Sequence, residues 1–373
     1  MIPLAEPCIG EQEIRNVNEA LKSGWISSKG KFIADFEHQF AGYCGMKYGV
    51  ATANGTVSLH LALVAMGIGP GHEVIVPSLT FVATANAVTY TGARVVFVDS
   101  RPDDWNLDPA RIERLITPRT KAIVPVHLYG HPCDMDALIA IARKHGLLIL
   151  EDAAQSHGGE HGGRKTGSFG DISSFSFYGN KTITTGEGGI CLTNDEALYS
   201  RMRILRDHGA DPRRRYWHDV IGYNYRMTNL QAAVGVAQIE KLDRFIAQKR
   251  EIAEFYAREF QDLVDDGLMI LHPSLPGARC TFWLYGILVL PRPGHPGRDD
   301  LIRGLTEREI DSRPFFHPIH TLPPYRGYAQ EGDFPVANRL STTGISLPSS
   351  LHLSEKQLGT VAGAVREILR TGK

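Results

Sequence analysis

The sequence predicts an α/β protein that has a mostly parallel central sheet flanked by helices and a smaller C-terminal α+β domain. Short apolar runs bounded by turn residues recur along the first half of the chain, and segments with helical spacing lie between them. Strands that alternate with helices in this way form parallel sheets with right-handed crossovers. The pattern changes near residue 250, so we predict a large domain over 1–249 and a small domain over 250–373.

The composition narrows the class of protein. A formal net charge of −1 gives no electrostatic reason to expect nucleic acid or an anionic membrane as a partner. The five cysteines form no CxxC pair, which favours reduced thiols in a cytoplasmic protein. We find no signal peptide and no apolar run of the roughly 20 residues that span a bilayer. The histidines and cysteines lack the spacing of metal sites, so no metal is expected.

The first elements are a helix, a loop and a turn that opens a second helix. The spacing of Ile14, Val17 and Leu21 predicts a helix over 11–22, and Trp25 follows it in an extended loop. Thr56 then lies near the start of the next predicted helix, where free N–H groups and the helix dipole attract phosphate. Its hydroxyl could equally be only a helix cap, and Trp25 could simply pack against the domain.

The next elements are the strands of the sheet. Apolar runs predict strands that begin at Glu73, Arg94 and Lys121, and a helical pattern covers 135–145. Phe81 follows the end of the first of these strands, at the edge where open α/β sheets bind ligands. An aromatic residue at such a position could also belong to the core.

Two further strands carry the residues that suggest chemistry. Asp152 and Gln155 follow the apolar run 147–150, which predicts a buried strand. Lys181 follows an aromatic run and precedes a glycine-rich segment. A sheltered lysine can lose its proton and attack a carbonyl carbon. The cofactor pyridoxal 5′-phosphate (PLP) needs such an amine, and a carboxylate that keeps its ring nitrogen protonated. Asp152 alone could instead be a helix N-cap.

The C-terminal part predicts α+β structure. We expect one long helix over about 231–263, a strand over 281–290, and helices over about 298–308 and 354–369.

Three segments carry a resemblance to a known family. The stretches 147–157, 173–189 and 224–227 resemble the DegT/DnrJ/EryC1/StrS family of PLP-dependent sugar aminotransferases, and the resemblance runs over nearly the whole chain. It implies the fold of type I PLP-dependent transferases, which is like that of aspartate aminotransferase, and a homodimer with shared active sites.

The resemblance also implies roles for individual residues. Lys181 would bind PLP and carry protons, Asp152 would keep the ring nitrogen protonated, and Phe81 would stack on the ring. Gln155 would meet the phenolic oxygen, and Ser176 would bond to the phosphate. The implied cofactor-binding residues are Gly55, Thr56, Val57, Phe81, Asp152, Gln155, Ser176, Lys181 and Asn224 of the partner subunit.

The implied reaction is the transfer of an amino group from L-glutamate to a nucleotide-linked keto-sugar. Relatives that dehydrate their sugar carry histidine at position 181, so the lysine favours transamination. The segments 25–31, 215–218 and 312–320 resemble most the members that convert GDP-4-keto-6-deoxy-D-mannose to GDP-perosamine for surface polysaccharide such as O-antigen. The candidate substrate-binding residues are Trp25, Arg226, His317 and His320.

Other interpretations stay open at this level. Arg226 could form a structural ion pair, and the two histidines could be packed surface residues. The keto-sugar could be linked to UDP or dTDP, or could belong to an antibiotic pathway. A regulator that binds PLP or a sugar nucleotide without turnover is another possibility, although the intact Lys181, Asp152 and Gln155 argue against it.

Overall fold

The computed structural model describes residues 1–328 and 333–371. Its helices are α1 (Glu11–Ser23), α2 (Lys31–Tyr43), α3 (Gly55–Ala65), α4 (Ala83–Tyr90), α5 (Met135–His145), α6 (Glu196–Arg206), α7 (Asn229–Ile239), α8 (Leu242–Glu259), α9 (Gln261–Asp265), α10 (Arg298–Glu307), α11 (Pro335–Thr343) and α12 (Glu355–Thr371). Its strands are β1 (Tyr48–Thr52), β2 (Glu73–Pro77), β3 (Arg94–Val98), β4 (Thr120–Ile123), β5 (Leu148–Asp152), β6 (Glu160–His161), β7 (Arg164–Lys165), β8 (Ile172–Ser176), β9 (Gly189–Thr193), β10 (Met269–Ile270), β11 (Ala278–Arg279), β12 (Tyr285–Val289), β13 (Arg313–Pro314) and β14 (Gly344–Leu347).

The central sheet has seven strands in the order β1-β9-β8-β5-β4-β2-β3. The pairs β8–β5, β5–β4, β4–β2 and β2–β3 are parallel, whereas β9 runs antiparallel to both of its neighbours. The predicted mostly parallel sheet is therefore confirmed. Because β2, β5 and β8 run in the same direction, the residues that follow them emerge at one edge of the sheet.

Helices cover both faces of this sheet. Along β2, Val74 and Val76 join the apolar cluster that includes α3 and α4, whereas Ile75 points to the opposite face and packs with α5. This alternation follows from the period of two along a strand, and it explains why the strand has no exposed face. The helix α3 is mostly apolar and largely buried, and its buried residues include the polar Ser58 and His60.

A second sheet, in the order β10-β12-β14-β13, is antiparallel throughout. Buried residues of α8, α10 and α12 pack against this sheet and form a hydrophobic core with it. The predicted domain boundary at residues 249 and 250 falls inside α8, so this one helix would belong to both halves. The division into two domains stays a prediction.

Two predictions of local structure were wrong. The helix expected over 231–263 is three helices, because the chain turns at Lys241 and again at Phe260. The strand expected over 281–290 covers only β12, since Phe282 has a positive φ of 48° that interrupts an extended chain.

The helix predicted over 11–22 is present as α1, but two of the apolar residues that predicted it lie outside its buried face. Ile14 and Leu21 are 50% and 52% exposed, whereas Glu13 and Asn16 are buried. The buried face is polar because it has polar partners: Lys241 donates to the Glu13 carboxylate at 2.5 Å, and the Asn16 amide donates to the Ala233 carbonyl at 3.1 Å.

None of the helices within 1–328 and 333–371 combines the length and the apolar character needed to cross a membrane. All five cysteines are free thiols.

Candidate active site

The candidate site lies at the carboxyl edge of the central sheet. Lys181 is in the loop after β8, where its backbone N–H donates to the Tyr178 carbonyl at 2.9 Å. Its Nζ lies 3.7 Å from the centroid of the Trp283 ring. Burial lowers the pKa of the Lys181 ammonium to about 7, and the negative charge of Asp152 partly offsets this effect. Burial therefore favours the neutral amine form of Lys181.

Asp152 is the last residue of β5, and its carboxylate is held from two sides. Thr84 Oγ1 donates to Oδ2 at 2.8 Å, and the Ala154 backbone N–H donates to Oδ1 at 3.2 Å. Burial raises the pKa of Asp152, while the hydrogen bonds from Thr84 and Ala154 and the positive charge of Lys181 act in the opposite direction. The carboxylate is thus fixed in orientation and near Lys181.

The residue before Asp152 is anchored even more strongly. Glu151 is fully buried, and its carboxylate accepts backbone N–H groups from Gly167, Phe169 and Gly170 at 2.6–2.8 Å. His127 Nε2 lies 3.1 Å from the same carboxylate, and the His127 backbone N–H donates to the Asp152 carbonyl. These bonds keep the end of β5 rigid, and therefore keep the direction of the Asp152 side chain.

The start of α3 meets the end of β8. Asn54 caps the helix by accepting the Val57 N–H at 3.0 Å. A Cβ atom at Gly55 would lie 2.7 Å from the Ser176 Cβ, closer than real contacts allow. Glycine at this position is what permits the partly exposed Ser176 hydroxyl to lie beside the helix N-terminus. A hydroxyl at a helix N-terminus is a favourable place for a phosphate.

Aromatic rings form one side of the site. Phe81 is 54% exposed, so it is not the core residue that its sequence position also allowed. Its ring centroid lies 5.9 Å from that of Phe316, which stacks on Tyr129 at 5.5 Å. Gln155 is buried, and its Oε1 accepts the Tyr129 backbone N–H at 2.9 Å.

The four candidate substrate residues lie in different surroundings. Trp25 is 57% exposed and lines a cleft of about 440 Å³, which neither Lys181 nor Asp152 lines. His320 Nδ1 lies 2.6 Å from the Ser78 hydroxyl, just after β2, whereas His317 is exposed.

Arg226 and Asn224 are neighbours in the structure. Arg226 forms an ion pair with Asp207 at 2.6 Å and donates to the Asn224 side-chain oxygen at 3.1 Å, so the structural ion pair considered above is present. Asn224 is exposed, and the next residue accepts the Ala53 N–H at 2.9 Å, beside the start of α3. The role of Asn224 at the phosphate of a neighbouring subunit stays a prediction.

Sequence reasoning missed Thr84, Tyr129 and Trp283. Thr84 follows Phe81 by one helical turn, which is a weak signal for a contact with Asp152. Trp283 lies in an aromatic run that reads as a strand, and nothing near it in the sequence connects it with Lys181. Only the folded chain brings it there.

The side chains present fit the cofactor PLP. An amine with a lowered pKa, an oriented carboxylate, an exposed aromatic ring and a hydroxyl beside a helix N-terminus match its aldehyde, ring nitrogen, ring face and phosphate. Gly55 contributes to this fit, since only a residue without a side chain lets Ser176 lie against the start of α3.

Comparisons with known proteins extend this picture. The profile of the DegT/DnrJ/EryC1/StrS aminotransferase family matches residues 7–366. A GDP-perosamine synthase of Caulobacter vibrioides is 48% identical over 99% of this chain and 98% of its own length. The GDP-perosamine synthase of Escherichia coli O157:H7 is 46% identical over 98% of both chains. The solved structure of S. venezuelae DesV, in complex with a ketimine intermediate, is 38% identical with a TM-score of 0.88, over 95% of this chain and 93% of that chain.

Proposed function

The chain belongs to the DegT/DnrJ/EryC1/StrS aminotransferase family, and from this premise we propose that it transfers an amino group from L-glutamate to a GDP-linked keto-sugar. The favoured acceptor is GDP-4-keto-6-deoxy-D-mannose, which would give GDP-perosamine for surface polysaccharide. Two relatives with that activity in their names, at 48% and 46% identity over nearly the full chain, support this choice of substrate.

The observation that carries the proposal is the pairing of Lys181 with Asp152. When bound, PLP supplies an electron sink that stabilises negative charge on the substrate carbon. Asp152, which Thr84 and Ala154 orient, would hold the proton on the ring nitrogen so that this sink stays effective. Lys181 would first hold the cofactor covalently and then act as a base.

Lys181 is suited to moving the proton. A general base works best when its pKa lies near the working pH, and burial brings the pKa of Lys181 to about 7. Its amine would remove the proton from the amino-donor carbon and return it to the cofactor, and then reverse the order with the keto-sugar. One base on one side of the ring suffices for both half-reactions.

We further propose that the protein is a homodimer with shared active sites in the cytoplasm. The exposed aromatic residues Tyr216 and Trp217, together with the exposed Asn224, support this assembly, since they face solvent in the single chain. Asn224 of the partner subunit would complete the phosphate site.

The test begins with absorption spectra of the purified protein with PLP, before and after addition of glutamate. We expect the wild type to show the band of lysine-bound PLP and to lose it with glutamate. Lys181→Ala should not show that band and should lower turnover by at least about 10³-fold. Lys144→Ala removes an exposed lysine and should behave like the wild type. A wild type that binds no PLP would contradict the proposal.

The substrate is tested next, with GDP-, UDP- and dTDP-linked 4-keto-6-deoxy sugars as separate acceptors. We expect an amino-sugar product by mass spectrometry with the GDP-linked sugar, and NMR should place the amino group at C4. Faster turnover of a UDP- or dTDP-linked sugar would overturn the choice of nucleotide while leaving the aminotransferase chemistry intact. If glutamate removes the band but no acceptor gives a product, the reaction with the amino donor stands and nucleotide-linked 4-keto-6-deoxy sugars are not the acceptors.

A further inference from the structure

A second buried lysine lies behind the candidate active site. Lys249 is on α8 and is only 4% exposed. Its Nζ is hydrogen-bonded to the Trp283 carbonyl at 3.0 Å, to the Ser349 carbonyl at 2.5 Å and to the Ser349 hydroxyl at 3.5 Å. All three acceptors are neutral oxygens. The chemistry proposed above makes no use of this residue.

The residue that Lys249 holds is in direct contact with Lys181. The face of the Trp283 ring lies 3.7 Å from the Lys181 Nζ. The Trp283 indole N–H donates to the Asn180 carbonyl at 2.7 Å, so it also fixes the backbone next to Lys181. Trp283 therefore touches both the amine of Lys181 and the chain that carries it.

The backbone around Trp283 needs support. Phe282 has a φ of 48°, a conformation that bulky residues rarely adopt and that costs free energy. On one side of it, the Thr281 N–H donates to the Gly130 carbonyl at 3.0 Å. On the other side, Lys249 holds the Trp283 carbonyl. These two contacts hold the backbone of the turn in place on both sides of Phe282, and they therefore orient the indole ring of Trp283.

We infer that Lys249 is a positioning residue for Lys181, and that it acts through Trp283. The inference rests on the proposed role of Lys181 as the amine that binds PLP. The face of an indole attracts an ammonium and shields an amine from water, so a displaced ring would leave the Lys181 side chain free to turn away from the cofactor. A lysine suits this place because its compact head offers three donors to three oxygens.

The test measures how fast cofactor-free protein captures PLP, which does not depend on turnover. We expect Lys249→Met to slow the appearance of the lysine-bound band by at least about tenfold, because a small misplacement of a reacting group has a large effect on rate. Trp283→Leu should slow it similarly. The double variant should be no slower than Trp283→Leu alone, since Lys249 acts only through the tryptophan.

The matched control is Lys241→Met. Lys241 directly precedes α8, the helix that carries Lys249. It bonds to a buried partner, the Glu13 carboxylate, and not to Trp283. Lys241→Met should lower the melting temperature, and it should change the rate of PLP capture by no more than about twofold. If Lys249 contributed only to stability, Lys249→Met would, like Lys241→Met, lower the melting temperature and leave the rate of PLP capture nearly unchanged.

Two further outcomes decide the inference. Lys249→Arg keeps N–H donors at this position, so it should fold even if the methionine variant does not. Because the arginine side chain is longer and planar, it should still slow capture by about threefold. Capture at the wild-type rate by a folded Lys249 variant, or additive losses in the double variant, would overturn the inference. A wild type that captures no PLP would instead refute the proposed function.

Discussion

At the scale of single residues, the charges of Lys181 and Asp152 depend on each other. Burial lowers the pKa of the lysine to about 7 and raises that of the aspartate. The negative charge of Asp152 raises the pKa of Lys181, and the positive charge of Lys181 lowers the pKa of Asp152. Both effects oppose burial, because a nearby opposite charge favours the ionised form. The site therefore has an amine that can release its proton and a carboxylate that can still be ionised.

This coupling predicts the pH dependence of the lysine. The neutral amine is the reactive form, so the rate at which cofactor-free protein captures pyridoxal should rise with pH through a midpoint near 7. Asp152→Asn removes the charge that stabilises the ammonium, so the midpoint should move to lower pH. Stopped-flow absorbance at a series of pH values measures it.

Asp243→Asn is the control, since it removes the same charge from an exposed carboxylate that bonds to Tyr43. It should leave the midpoint where it is. An Asp152→Asn midpoint that stays in place or rises would show that the two groups do not interact as described.

At the scale of elements, the contact between α3 and β8 builds the phosphate site. The helix can approach the strand closely because Gly55 has no side chain, and the Ser176 hydroxyl then lies beside the helix N-terminus. The Asn54 cap fixes the first turn, with a side-chain bond of 3.0 Å to the Val57 N–H. The geometry of the site is thus a property of the junction between two elements.

Gly55→Ala tests this junction. The added methyl would lie 2.7 Å from the Ser176 Cβ, so helix and strand must move apart or the serine must turn away. We expect the Kd for PLP to rise by at least about tenfold, because a displaced helix start binds phosphate less well. Titration of cofactor-free protein with PLP gives this value.

Gly359→Ala is the matched control. Gly359 lies within α12, and a Cβ atom there would meet nothing within 4 Å. Alanine should stabilise the protein by about 0.5–1 kcal/mol and leave the Kd unchanged. An unchanged Kd for Gly55→Ala would mean that the phosphate does not use this junction.

At the scale of the whole molecule, the single chain leaves four large apolar side chains of one loop exposed to solvent. Between α6 and α7, Ile221 is 91% exposed, Tyr216 82%, Trp217 51% and Val220 49%. We propose that this loop contacts another protein chain, since exposed large apolar side chains are typical of interaction sites. The role proposed for Asn224, three residues after Ile221, makes a second copy of the chain the expected partner.

Shared active sites predict that two inactive variants complement each other. Lys181→Ala and Asn224→Ala dimers should each be weakly active or inactive. In a mixed dimer, one site would keep both residues, so random mixing should restore about a quarter of the wild-type activity. Co-expression with two different tags followed by activity assays of the mixture measures this recovery.

The control mixture combines Lys181→Ala with Asp152→Asn. Both residues belong to the same chain in each site, so the mixed dimer has no complete site and should recover nothing. Recovery in the control, or none in the Lys181 and Asn224 mixture, would exclude the shared arrangement.

The sequence alone determined the alternation of strands and helices, and with it the parallel sheet, because the apolar periods of two and 3.6 report which faces are buried. It also indicated Lys181 and Asp152, since both follow buried strands and match the motifs of one family. Family roles for the other site residues followed from the same motifs.

Only the tertiary structure decided the rest. The polar face of α1 is buried because Lys241 and Ala233, more than 200 positions away, supply its partners. Trp283 reaches Lys181, and Lys249 holds Trp283, through contacts between segments that are distant in sequence. Local patterns indicate which segments are helices and strands. The neighbours of each side chain depend on how these elements pack, and the chemistry of Lys181 depends on those neighbours.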